Sequence, residues 1–182
     1  MGLLLGSTGC RTPTICQTAD RPAAVSWERR VEKELPLLGH RNWIVVADSA
    51  YPAQISPGVE VIYTGEKALP VIEKVLELVD RAPHVGPVVY LDAELDHVPE
   101  AQAKGIGHYR EKLAKLLADQ KVVRLPHEEL IARLDEAGKT FRVLVLKTDL
   151  TLPYTSVFLR LDCGYWTPEA EQQLRRAMQN RP

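Results

Sequence analysis

The stretch LGHRNWIVVADSAYP, residues 38–52, sets an unbroken hydrophobic run between a histidine and an acid. Trp43, Ile44, Val45, Val46 and Ala47 follow one another without a polar residue. A run that is apolar on both alternating faces reads as a strand covered from both sides, the pattern of a parallel sheet inside an α/β protein. His40 stands before the run and Asp48 closes it. The strand and its bracket of proton-carrying side chains direct both the fold reading and the search for chemistry.

Upstream, Val25, Trp27, Val31, Leu35 and Leu38 recur at helical spacing, so residues 25–38 predict a helix ending near Gly39. Downstream, residues 49–58 hold two prolines and a glycine and read as a loop. Residues 59–64 alternate like a strand, and 68–82 carry Val71, Ile72, Val75, Leu76 and Val79 on one helical face. Strand and helix patterns then succeed one another: strand 87–95, helix 99–120, strand 121–126, helix 127–138, strand 141–148 and a sixth strand over 155–162. Residues 167–180 form a terminal helix, with Thr167 as N-cap, Pro168 at the first position and acids in the first turn. This alternation predicts a layered α/β fold with a largely parallel central sheet flanked by helices. Residues 1–24 read as a flexible leader, 25–166 as one domain and 167–182 as a C-terminal helix.

The 182-residue chain is 45% hydrophobic and 26% charged, which suits one globular domain. A formal net charge of −1, with no stretch that interleaves Lys and Arg with aromatics, argues against nucleic acid as the partner. Three cysteines, Cys10, Cys16 and Cys163, make neither a disulfide framework nor a zinc pattern. No apolar run approaches the roughly 20 residues that span a bilayer. The opening MGLLLGSTGC resembles the end of a bacterial lipoprotein signal, with Cys10 as the lipid-bearing residue of a truncated signal. It lacks a basic lead, and its apolar run is short. No glycine-rich phosphate loop follows a strand, and no Ser/His/Asp or Cys/His triad stands out.

Ligands in open α/β sheets bind beyond the carboxyl ends of the strands. Asp48, Asp92 and His127 lie at such ends, whereas His40 lies at a strand start. Each has a plain alternative as a turn residue or a helix-end polar group.

Taken in order, LGHRNWIVVADSAYP, GVEVIYTGEKALPVIEKVL, VRLPHEELIARL and LVLKTDLTLPYTSVFLRLDCG resemble the ribose pyranase/fucose mutarotase family, RbsD/FucU-like, over about residues 35–164. The resemblance implies an isomerase of carbohydrate metabolism that interconverts anomers or ring forms of a free monosaccharide without a cofactor or metal. It implies His40, Asp48, His127 and Tyr154 as catalytic residues. His40 would be the principal acid/base, Asp48 would orient it or hold a sugar hydroxyl, and His127 and Tyr154 would supply a second proton donor and a hydroxyl ligand. Asp48, Tyr154 and Ser156 would bind the substrate. It further implies a cytoplasmic homo-oligomer, a ring and often a decamer, with sites near subunit boundaries. Two positions depart from the family pattern. Ser156 stands where the family has a sugar-binding asparagine, and Ile131 where the ribose branch has a lysine. Both departures leave a sugar-binding protein without turnover as the alternative.

Overall fold

The computed structural model describes residues 25–179, so the leader with Cys10 and Cys16 lies outside the described residues. The chain runs α1 (Trp27–Glu34), β1 (Trp43–Ala47), β2 (Val59–Tyr63), α2 (Ala68–Asp80), β3 (Val85–Asp92), α3 (Ile106–Leu116), β4 (Val122–Leu125), α4 (His127–Gly138), β5 (Val143–Lys147), β6 (Val157–Cys163) and α5 (Pro168–Gln179). The six strands make one sheet in the order β2-β5-β1-β6-β3-β4. Only β6 runs antiparallel to its neighbours, and the other five share one direction.

The two-sided reading of β1 holds: all five residues are buried. Ile44 and Val46 join one core with α1, α2 and α3, while Trp43, Val45 and Ala47 join another beneath α4. Strands β5 and β6 divide in the same way, because successive side chains point to opposite faces. Helix α2 buries Val71, Ile72, Val75, Leu78 and Val79 along one stripe, and α4 buries Leu130 and Leu134. Among the described residues, α4 is the one helix packed on that face.

Two predicted helices are shorter than their periodicity. The first turns into a 3-10 segment at Leu35–Leu37, where Pro36 lacks the N–H that an α-helix uses. The segment 99–105 is a series of turns. Gly105 sits at φ 94°, and Glu100 accepts the Gly105 and Gly107 N–H groups at 2.6 and 2.9 Å, so α3 starts only at Ile106. The third strand ends at Asp92, and residues 93–97 coil into a 3-10 turn. Helix α5 forms over the residues expected and buries none of them.

Candidate active site

Where the parallel strands end, three chain segments meet. Val157, at the start of β6, pairs with Val46 on one side and Leu91 on the other. Asp48 and Asp92 thus flank the entry of β6 from two strands that are about 10 Å apart, twice the strand spacing. His127 opens α4 directly after β4, the parallel neighbour of β3. The loop from β5 to β6 carries Tyr154 and Ser156 over the same edge.

Asp92 and His127 form a pair. His127 Nδ1 lies 3.1 Å from Asp92 Oδ1. Asp92 is only 1% exposed, and its second carboxylate oxygen is buried without a partner. Burial pushes the Asp92 carboxyl above the usual carboxylate range. The hydrogen bond and charge of His127 oppose that rise, and Glu94 and Asp48 add to it. With Asp92 ionised, His127 donates from Nδ1 and keeps Nε2 free to accept a proton. Glu94 accepts the backbone N–H of His127 on both carboxylate oxygens, at 3.1 and 3.0 Å, which caps α4 with a negative charge. The Tyr154 ring stands edge-on to the imidazole, with centroids 5.5 Å apart and planes at 81°.

Tyr154 holds a left-handed backbone, φ 57°. For a non-glycine residue this conformation costs on the order of 1–2 kcal/mol, so the surrounding contacts must impose it. They include the buried Tyr109 hydroxyl, which donates to Thr155 O at 2.8 Å, and the Thr155 hydroxyl, which donates to Leu152 O at 2.7 Å. Burial raises the Tyr109 phenol, which stays protonated as that donor. Tyr51, buried behind Asp48, is pushed up to about 12, first by burial and then by Asp135, Asp48 and Asp92. A cavity of about 630 Å³ opens beside Tyr154, with Glu94, His97 and Gln102 in its wall.

Ser156 is 2% exposed, and its hydroxyl serves Asp48. It donates to Asp48 Oδ2 at 3.1 Å and accepts the Asp48 N–H at 3.3 Å. The short hydroxyl thus reaches the adjacent carboxylate and is covered there. Asp48 Oδ1 accepts the Ala50 N–H at 2.8 Å. Ile131, one turn after His127, packs against the core beneath α4.

His40 is elsewhere. It sits on a tight turn at the opposite end of β1, where Gly39 N donates to Asn42 Oδ1 at 2.7 Å and Arg41 adopts φ 76°. Five strand residues, about 17 Å, separate that edge from the Asp48 edge. One chain therefore does not bring His40 to Asp48, His127 or Tyr154, and Asp48 cannot orient His40 within it. His40 Nδ1 instead pairs with Asp162 at the far end of β6, whose other oxygen accepts from Arg160 at 3.3 Å. Each histidine thus has its own acid, at opposite ends of the sheet.

Sequence reading located Asp92 at a strand end but did not join it to His127, and it missed Asp162 and Glu94. The order β3-β4 brings Asp92 and His127 together, and antiparallel β6 returns Asp162 to His40. Among the described residues no group of three or more His, Cys, Asp or Glu is arranged to hold a metal ion. No helix among them is long and apolar enough to cross a membrane.

No protein-family model and no curated protein matches the sequence. Solved structures do match the fold. Bacillus subtilis RbsD complexed with D-ribose is 21% identical with a TM-score of 0.50, covering 80% of this chain and 98% of that one. The fucose mutarotase of Streptococcus pneumoniae in complex with L-fucose is 18% identical with a TM-score of 0.51, covering 77% and 97%. FucU from Bifidobacterium longum is 16% identical with a TM-score of 0.51, covering 74% and 94%.

Proposed function

We propose that this chain, whose fold is that of RbsD and the fucose mutarotases, interconverts the anomers or ring forms of a free monosaccharide by acid–base catalysis without a cofactor. The Asp92–His127 pair, with Tyr154 held edge-on beside it at the carboxyl ends of the strands, carries this reading.

Ring opening moves two protons. The anomeric hydroxyl loses one, the bond between the anomeric carbon and the ring oxygen breaks, and the ring oxygen gains one. The open-chain aldehyde then rotates and recloses by the same steps in reverse. His127 Nε2 takes or gives one of these protons, and Asp92 sets the tautomer that leaves Nε2 free. Tyr154 and Asp48 hold sugar hydroxyls, while Ser156 acts through Asp48. The second proton carrier is His40, and it comes from another copy of the chain. The supporting observation is that His40 has its own carboxylate partner and lies on a turn held by Asn42, yet stands a strand length from the other site residues.

A second reading is a monosaccharide-binding protein of this fold without turnover. It is favoured by Ser156 being committed to Asp48 and by Ile131 being an apolar side chain packed against the core, which leaves the sugar fewer polar partners.

Exchange NMR between anomeric proton signals, across a panel of free aldoses, separates the two readings. Mutarotation catalysis is expected with at least one sugar, and His127→Ala should reduce it by about 10²-fold or more. Sugar binding with no faster exchange would favour the binding protein. Undiminished exchange in a folded His127→Ala protein would remove His127 from the mechanism.

A further inference from the structure

His40 lies in the wall of a second cavity, about 650 Å³, at the edge of the sheet opposite the Asp92–His127 pair. Val88, Asp162, Trp166 and Glu171 line the same cavity. Trp166 opens the C-terminal segment, and nothing in the core requires it there: it is 45% exposed, and α5 beyond it buries no residue. Its orientation is nonetheless set. The indole N–H donates to Glu171 Oε2 at 2.8 Å, and Arg175 Nε donates to Glu171 Oε1 at 2.7 Å. Thr167 caps the helix that carries both partners, accepting the Ala170 N–H at 3.2 Å. An exposed aromatic fixed in this way has little freedom left to lose when a ligand covers it.

We propose that Trp166 is the stacking wall that one copy of the chain adds, together with His40, to the sugar site of its neighbour, and that it selects pyranoses with several C–H bonds on one face. The inference rests on the two-copy reading of the site. If His40 reaches a sugar held at the neighbour's Asp48 edge, the sugar occupies the cavity that Trp166 also lines. Hydroxyls circle a sugar ring, whereas its C–H bonds can gather on one face. That weakly positive face matches the negative face of an indole. D-galactopyranose gathers its adjacent C3, C4 and C5 hydrogens on one side, whereas D-xylopyranose alternates its ring hydrogens between the two faces.

The test uses mixed assemblies. Chains with His40→Ala are co-expressed with chains carrying Asp48→Asn. Intact sites then form only where His40 of an Asp48→Asn chain meets Asp48 of a His40→Ala chain. Exchange should return in the mixture. Adding Trp166→Ala to the Asp48→Asn chain should lower the recovered exchange of limiting D-galactose by about three- to tenfold. D-xylose should be affected less, and Trp166→Phe should restore most of the loss. The same change on the His40→Ala chain should have an effect several-fold smaller. A mixture that regains nothing overturns the two-copy reading and the wall with it. Recovered exchange that is indifferent to which chain carries Trp166→Ala overturns the wall alone.

Discussion

Asp92 is a carboxylate kept from water with one oxygen unpartnered, an arrangement that costs stability. Burial is the largest influence on it and raises it above its ordinary 3.8. An acid raised in the folded state contributes most below the unfolded value, and the contribution is lost as pH rises through the folded value. Urea unfolding across pH should therefore show wild type losing stability relative to Asp92→Asn as pH climbs from about 3.8. The variant, whose amide cannot carry the charge that steadies a protonated His127, should also exchange sugars more slowly. Relative stability that instead rises with pH would mean that the hydrogen bond to His127 outweighs burial. Ser156 has the opposite character. It is a small hydroxyl satisfied on both sides by Asp48, and so it positions the acid from behind.

At the scale of elements, the loop between β5 and β6 delivers Tyr154. Its strained backbone is held from beneath by α3, through the Tyr109 hydroxyl on Thr155 O. Tyr109→Phe deletes that donor and keeps the ring. Chemical denaturation should register a loss of about 1 kcal/mol, the usual net value of one hydrogen bond. Exchange should fall as well, because Tyr154 follows the loop. An unchanged rate at reduced stability would detach the loop from the site. Strand β6 does the complementary work. By running against its neighbours it brings Ser156, just before its start, beside Asp48 at one edge and Asp162 beside His40 at the other.

At the scale of the whole molecule, His–Asp pairs stand at opposite ends of the sheet, and on the proposed two-copy reading each copy would supply half of two sites. That proposal calls for assembly head to tail, with one copy's His40 edge against another's Asp48 edge. A head-to-tail contact closes into a ring when its rotation allows. Light scattering at micromolar concentration should give a mass above that of a dimer. A monomer that nevertheless exchanges sugars would show that His40 is dispensable.

Much of this was legible in the residues themselves. The two-sided run Trp43–Ala47, the alternation of strand and helix patterns and the Thr167-Pro168 cap are local consequences of periodicity and backbone chemistry, and they predict an α/β sheet and its terminal helix. The nearness of His40 and Asp48 along the chain was legible too, but it is not nearness within one folded chain. Eight positions apart in sequence, they are held apart by the strand between them, because an extended chain adds about 3.3 Å with every residue. Only the tertiary structure decided the partners. Strand order brought Asp92 to His127, the antiparallel return of β6 brought Asp162 to His40, and burial turned Ser156 towards Asp48. Such pairings join residues far apart in sequence, and no local pattern of side chains encodes which strand lies next to which.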